Sequence, residues 1–152
     1  MAVSAYSFLN CQCTLSGPGG SIPLGNGSGT AEEGITIDNI EEKDLMTLGA
    51  DGQIMHSLRA SNAARATVRL LKTSPTNAQL MQMYNAQRLA TGSWGQNVLT
   101  INDVARGDVE NLTYAAFSKP PANTYSKDGA MMEWEFLGTR DTTLGTGTPS
   151  IL

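Results

Sequence analysis

Few side chains in this 152-residue chain have the type and spacing of a catalytic or metal-binding site. Cys11 and Cys13 are the only cysteines, and His56 is the only histidine. The cysteines lie two apart in an alternating run, so both point to one face of a strand, where they are poorly placed for a disulfide. A metal site on this pair would need two further ligands. We therefore interpret both as small buried side chains and expect no metal and no cofactor.

His56 shares one face of an alternating run with Ile54 and Leu58, which predicts a packed or interface residue. No serine or cysteine nucleophile accompanies it in a pattern that would support a catalytic triad. The glycine-rich residues 21–30 lack the third glycine of a dinucleotide motif and the Gly-Lys-Ser/Thr ending of a phosphate loop. We interpret them as a loop that binds no nucleotide, and we expect a protein that is not an enzyme.

The acidic side chains are concentrated in residues 32–44 of a chain whose net charge is −4, with 14 acidic and 10 basic residues. This segment favours a solvated strand face or a surface that repels phosphate. Acid–base catalysis by paired carboxylates lacks both a pocket and a partner histidine. The charge argues against a nucleic-acid grip, although DNA could pass nearby without being held. No run reaches the roughly 20 apolar residues of a membrane span.

The elements that must position these residues are mainly strands. Sixteen glycines, 40 % hydrophobic residues and only 6 % aromatic residues are typical of a turn-rich β protein, long enough for one domain with its own core. A helix over residues 78–90 follows Ser74-Pro75, with Leu80, Met83 and Tyr84 as its packing stripe and Gly92 as its stop.

Residues 1–20 carry no signal-peptide pattern, which favours the cytoplasm. Strands are predicted at 6–15, 66–71, 98–104, 109–117 and 131–137, the last with Met132, Trp134 and Phe136 inward, and a mobile tail over about 141–152.

The central pattern is a hairpin. Two alternating runs, residues 35–48 and 53–58, flank a Gly-Ala-Asp-Gly sequence at 49–52 that favours a tight turn. The first run is longer than an ordinary strand, which has about five or six residues. Because a long, thin hairpin cannot bury both faces against its own small domain, we expect its missing neighbour to be another subunit.

Seven short phrases of the sequence, among them Met-Thr-Leu-Gly-Ala-Asp-Gly at 46–52 and Trp-Gly-Gln-Asn at 94–97, form a recognisable set. In their order and spacing they resemble a family of bacteriophage structural proteins, the tail tube proteins of phages similar to contractile-tailed ones. The resemblance covers residues 6–145, which is most of the chain. Each phrase alone is unspecific, and their shared order makes the match specific. The phrases lie at 31–37, 46–52, 55–57, 68–75, 94–97, 103–108 and 125–136.

The resemblance implies a mostly β fold, a β-sandwich or barrel with one flanking helix and a long projecting hairpin, as in type VI secretion tube proteins. It implies that residues 1–152 form a single tail-tube-like domain. Six copies would form a ring, and rings would stack into a tube whose lumen holds DNA and the tape measure protein. Further partners would be the tail sheath, baseplate and terminator proteins, with no membrane. The protein would be part of the virion tail and assemble in the cytoplasm of the host bacterium.

The resemblance transfers no catalytic residue, and the assembly residues are assigned from the strand pattern instead. Lumen-facing strands should be polar and net acidic, so that DNA slides, and Arg69 departs from that expectation. The alternatives are another ring-forming tail component, either a tail terminator or a baseplate hub with a tube-like fold, and a hydrolase, which would need a carboxylate pair in an aromatic cleft. The inter-subunit hairpin is predicted to use Met46, Leu48, Gly49, Asp51, Gly52, Ile54 and Met55, and the lumen face Asp38, Thr67, Glu133 and Glu135.

Overall fold

This computed structural model describes residues 5–25 and 30–146. These residues contain nine strands and one α-helix. Alternation of apolar and polar side chains gives most of these segments one buried face and one exposed face. In chain order the elements are β1 (Cys11–Gly17), β2 (Gly20–Pro23), β3 (Thr30–Asn39), β4 (Asp44–Leu48), β5 (Ile54–Leu58), β6 (Ala63–Leu71), α1 (Thr76–Arg88), β7 (Asn97–Asp103), β8 (Asp108–Lys119) and β9 (Met131–Thr143), with 3₁₀ turns at Phe8–Asn10 and Thr91–Ser93.

Seven of the described strands form one antiparallel sheet in the order β2-β1-β7-β8-β9-β6-β3, while β4 and β5 pair only with each other. The sheet curls back on itself without closing. Phe8, beside β1, lies near Gly34 of β3, where its Cε2 atom would be 3.9 Å from an added Cβ. In the described residues, β2 and β3 therefore leave one backbone edge each unpaired. The mostly β, barrel-like fold with one flanking helix is confirmed.

The core occupies the inner face of this sheet. Trp134 and Phe136 of β9 are fully buried and contact Phe117 of β8, with ring centroids 6.0 and 4.9 Å apart. Met132 packs against the same cluster, so the predicted inward face of this strand is confirmed. The other buried apolar side chains alternate along their strands: Cys13 and Leu15 on β1, Ala64, Ala66, Val68 and Leu70 on β6, Leu99 on β7 and Leu112 on β8.

Helix α1 packs over this core through the predicted stripe. Leu80 and Met83 are buried, and the ring of Tyr84 lies edge-on to Phe117 at 5.7 Å. The helix begins after Ser74-Pro75, where the Ser74 hydroxyl accepts a hydrogen bond from the Thr76 backbone N–H at 3.3 Å. It ends at Arg88, earlier than predicted. This helix is too short and too polar to cross a bilayer, and no other described helix could do so.

Two predicted boundaries near the N-terminus are wrong. Residues 8–10 form a 3₁₀ turn rather than the start of a strand, because the Ser7 hydroxyl caps the Leu9 backbone N–H at 3.2 Å. Leu9 is consequently 71 % exposed instead of sharing the buried face of Cys11. Part of the glycine-rich segment predicted as a loop is strand β2, which pairs with β1. Residues 26–29 of that segment lie outside the described residues.

The long first arm of the hairpin is also interrupted. Strand β3 pairs with β6 in the main sheet and ends at Asn39, whereas β4 begins at Asp44 and pairs only with β5. Near the C-terminus, residues 141–143 continue β9 instead of starting a mobile tail, since they pair with β8 from Val109 to Asn111. Residues 147–152 lie outside the described residues.

Candidate functional site

The β4–β5 ribbon is the most exposed element of the described fold. All ten residues of its two strands are exposed. The turn is closed by hydrogen bonds from the Gly49 N–H to the Gln53 carbonyl at 2.7 Å and from the Gly52 N–H to the Gly49 carbonyl at 3.1 Å. Gly52 has φ of 87°, a left-handed conformation that favours glycine, and the Asp51 carboxylate accepts the Gln53 N–H at 3.2 Å. The predicted turn chemistry is therefore present.

Both faces of the ribbon carry apolar side chains. Directly paired residues share a face, which places Leu48 and Ile54 together and puts Met55 on the opposite face beside Thr47. An isolated two-stranded hairpin is marginally stable at best in water. Large apolar side chains exposed together on such a hairpin normally pack against a partner. Six large apolar side chains of the ribbon are 50–84 % exposed: Leu45, Met46, Leu48, Ile54, Met55 and Leu58.

Polar contacts tie together the two segments at the base of the ribbon. The Lys43 ammonium donates to the Ser61 carbonyl at 2.8 Å and to Asn62 Oδ1 at 3.0 Å, and Arg59 pairs with Glu41 at 2.7 Å. These contacts join residues 41–43, which lead into the ribbon, to residues 59–62, which follow it. They fix the base while leaving the apolar tip uncovered.

Arg140 of β9 links that base to the middle of the sheet. Its guanidinium donates to Glu110 Oε1 at 2.6 Å and to Asn39 Oδ1 at 3.2 Å, and its backbone N–H donates to the Asn62 carbonyl at 3.0 Å. Asn39 is the last residue of β3 and Asn62 lies just before β6, so they mark the two ends of the segment 40–61 that carries the ribbon. A single arginine therefore contacts both ends and joins them to β8.

The four residues predicted for the lumen lie together on the outer face of β3, β6 and β9. Thr67 of β6 is directly opposite Glu135 of β9, and Glu133 lies two residues further along the same face. Asp38 of β3 is opposite Arg65 of β6 and is exposed. The tertiary structure thus brings all four residues onto one surface.

Two arginines share that surface. Arg65 Nε lies 2.7 Å from Glu135 Oε1, and Arg69 Nε lies 3.4 Å from Glu133 Oε1. Arg69 was noted from the sequence, but Arg65 was missed because the strand was predicted to start at Ala66. Extending the alternation of Thr67 and Arg69 back by one step would have found it. The carboxylates therefore alternate with guanidinium groups across these strands.

His56 and the cysteines have no arrangement for chemistry. His56 Nδ1 lies 2.7 Å from Asp44 Oδ2 on one face of the ribbon, with both side chains exposed. Cys11 and Cys13 are free and buried. Burial raises the pKa of the Cys13 thiol to about 12, and the neighbouring Cys11 adds to the rise. Among residues 5–25 and 30–146, no three His, Cys, Asp or Glu side chains are grouped as metal ligands.

Solved structures of similar fold come from contractile injection systems. The sheath/tube terminator of the PVC extracellular contractile injection system aligns with a TM-score of 0.60 at 15 % identity, over 94 % of this chain and 99 % of that one. The tube-terminating cap of the anti-feeding prophage gives 0.54 at 13 % identity, over 95 % of each chain. A chain of the PVC sheath–tube complex gives 0.52 at 15 % identity, over 88 % of each. At these identities the likeness shows the fold alone.

The family assignment comes from the sequence itself. No curated protein matches this chain. The profile of the bacteriophage PhiTE tail tube protein family, however, matches residues 3–145, which is nearly the whole chain and includes the ribbon and every strand of the sheet. The family resemblance drawn from the sequence is thereby confirmed, and the chain belongs to the bacteriophage PhiTE tail tube protein family.

Proposed function

We propose that this chain is the self-assembling subunit of a phage tail tube, with six copies in each ring and rings stacked into a channel for DNA delivery. The observation that carries the proposal is the β4–β5 ribbon, which exposes apolar side chains on both faces. A second copy of the chain would cover them. Because a ribbon that docks on a different surface of the next copy makes a head-to-tail contact, such contacts continue into rings or filaments.

The unpaired edges of β2 and β3 support lateral association. An open sheet edge presents backbone donors and acceptors to any neighbouring strand, and joining such edges around a ring would extend the sheets of adjacent subunits. Met46, Leu48, Ile54 and Met55 would then make the contacts between rings, with Gly49, Asp51 and Gly52 forming the tip. In this assembly the face with Asp38, Thr67, Glu133 and Glu135 would line the channel.

The partners follow from this role. A tube subunit meets the tail sheath on its outside, the tape measure protein and DNA in its lumen, and baseplate and terminator proteins at its ends. Its part in the virion is structural and not enzymatic, and the whole chain acts as one tube-like domain. Assembly takes place in the cytoplasm of the host bacterium.

A second candidate is a ring that closes a tail tube rather than building its length. The observation that favours it is the fold similarity to the PVC sheath/tube terminator and to the anti-feeding prophage tube-terminating cap. A baseplate-hub ring is a variant of the same alternative. Both roles require copies of the chain to associate, but neither requires the rings to stack on one another.

Electron microscopy of the purified full-length chain separates these roles. Long hollow polymers support the tube subunit, and isolated rings support the terminator or hub. A monodisperse monomer at high protein concentration, shown by analytical ultracentrifugation, contradicts both.

A further inference from the structure

Arg65 and Arg69 present a problem for a surface that DNA should pass. Both point outward from β6 on one face, each two positions from Thr67, which lies between them. A guanidinium offers a planar fork of donors that fits phosphate closely. Two guanidinium groups on the outer face of one strand, with side chains 52 % and 22 % exposed, would therefore be expected to hold a duplex rather than to release it.

The neighbouring strand pairs one carboxylate with each guanidinium group. Glu133 lies directly opposite Arg69, and Arg69 also donates to Thr36 Oγ1 of β3 at 3.1 Å. Glu135 is opposite Thr67 and reaches diagonally to Arg65 at 2.7 Å. Arg69 is thus held from both sides, by a carboxylate on β9 and a hydroxyl on β3.

These ion pairs do little for the stability of the fold. Pairs that remain partly exposed gain little from their attraction, because water screens it and the long side chains lose freedom. Their effect on a passing polyanion is larger. A phosphate that approaches either guanidinium meets the paired carboxylate, and the two negative charges repel each other at short range.

We propose that Glu133 and Glu135 mask Arg69 and Arg65 against phosphate, so that this face meets duplex DNA without holding it. The inference rests on the proposed function, since only a channel-lining face would meet DNA. It assigns the two glutamates a specific role, the neutralisation of two named arginines. If the glutamates acted only through the overall negative charge, removing any two exposed carboxylates would change DNA binding by the same amount.

The test is duplex binding by the Glu133→Gln/Glu135→Gln variant. The glutamines keep the shape of the side chains but lose the charge that occupies the arginines. Fluorescence anisotropy with a labelled 20-base-pair duplex, of the order of two turns of DNA, is measured at protein concentrations where light scattering detects no polymer. We expect the variant to bind about tenfold more tightly than the wild type at low salt, with a plot of log affinity against log salt steeper by about 1.8, the value for two phosphate contacts.

Two controls separate masking from bulk charge. Glu42→Gln/Asp128→Asn removes two exposed carboxylates elsewhere and should leave duplex affinity within about twofold of the wild type, because neither is paired with these arginines. Adding Arg65→Gln and Arg69→Gln to the glutamate variant should return the affinity to the wild-type value. Circular dichroism melting checks that each variant is folded. Should the double variant fail to fold, Glu133→Gln alone, at a position 58 % exposed, should give about half the change in slope.

The proposal is overturned if the glutamate variant binds no more tightly than the charge-matched control, or if the gain survives loss of both arginines. Neither result bears on whether the chain polymerises. Electron microscopy of the wild type decides that question separately, so failure of the masking role and failure of the tube assignment can be told apart.

Discussion

Gln87 of α1 and Asn97 of β7 exchange two side-chain hydrogen bonds, from Gln87 Nε2 to Asn97 Oδ1 at 2.7 Å and from Asn97 Nδ2 to Gln87 Oε1 at 2.8 Å. Both side chains are essentially fully buried. Gln87 also donates to the Pro18 carbonyl at 3.1 Å, in the turn between β1 and β2. This amide pair ties the C-terminal end of the helix to the sheet, so that the helix covers the core in one position.

Replacing Gln87 by methionine keeps the side-chain volume but leaves the Asn97 amide buried without this partner. We expect the free energy of unfolding to fall by about 1–3 kcal/mol, the usual cost of an unsatisfied buried polar group. Urea denaturation measures it. The control is Gln82→Met, at an exposed position of the same helix, which should change stability by less than about 0.5 kcal/mol. Equal effects at both positions would show that the amide pair contributes nothing.

Gly17 lies against the same pair. An added Cβ would stand 1.9 Å from Asn97 Oδ1, so Gly17→Ala must displace an amide that Gln87 holds in place. We expect a loss of about 1–3 kcal/mol, as for other overpacked sites. Gly92→Ala is the control, since a Cβ there meets nothing within 4 Å. The Gly17 effect should shrink in an Asn97→Ala background, and strict additivity would contradict the contact.

The ribbon should serve assembly rather than monomer stability. Leu48 and Ile54 are paired across it and exposed, so changing both to serine should abolish polymers while altering the free energy of unfolding by less than about 1 kcal/mol. Electron microscopy and thermal melting measure the two effects separately. Thr47→Ser, on the opposite face of the same ribbon, should leave polymers intact. Parallel losses of polymer and stability would mean that the ribbon packs on its own core.

Arg140 should matter more than Arg59 because its partner is largely buried. The side chains of Arg140 and Glu110 are only 24 % and 12 % exposed, and Arg140→Met would leave the Glu110 carboxylate without its cation. We expect a loss of about 3 kcal/mol, partly recovered when Glu110→Gln is added. Arg59→Met removes the exposed pair with Glu41 and should cost under about 1 kcal/mol. Equal costs in urea denaturation would contradict the role of burial.

The Cys13 thiol should stay protonated and unreactive in the folded protein. Burial raises its pKa from 9.0 to about 12, so the stability it contributes is complete below pH 9 and is lost as the pH rises from 9 towards 12. The stability difference between wild type and Cys13→Ala should shrink by about 1.4 kcal/mol per pH unit within that window. Denaturant titrations at pH 8 and pH 10.5 measure this difference. Rapid labelling of Cys13 by a thiol reagent at pH 8, without unfolding, would contradict it.

Local patterns predicted the parts of the fold whose side chains repeat regularly. The alternation around Trp134 and Phe136 gave the correct inward face, and Ser74-Pro75 marked the start of the helix correctly. The predictions were wrong where a single hydrogen bond, or a change of the neighbouring strand, overrode the pattern. The Ser7 cap turned residues 8–10 into a 3₁₀ turn, and the pairing of β3 with β6 interrupted a continuous alternating run.

Tyr114 shows a feature that no local pattern predicts. It has φ of 52° and a ring 73 % exposed, at the point where β8 shifts its register against β9. A left-handed conformation costs a non-glycine residue about 1–2 kcal/mol. Strand β8 shifts its register against both β7 and β9 at this residue, and nothing in the residues around Tyr114 indicates those pairings.

The amino-acid sequence alone determined the β character, the tight turn at Gly52, the inward face of the last strand and the family resemblance, because each depends on residue type and short spacing. Only the tertiary structure decided which strands are neighbours. That choice paired Arg65 and Arg69 with glutamates some seventy residues away, buried Gln87 against Asn97, and left the β4–β5 ribbon uncovered. Strand order is set by the burial of one shared core, which sums over the whole chain and is not encoded in any single segment.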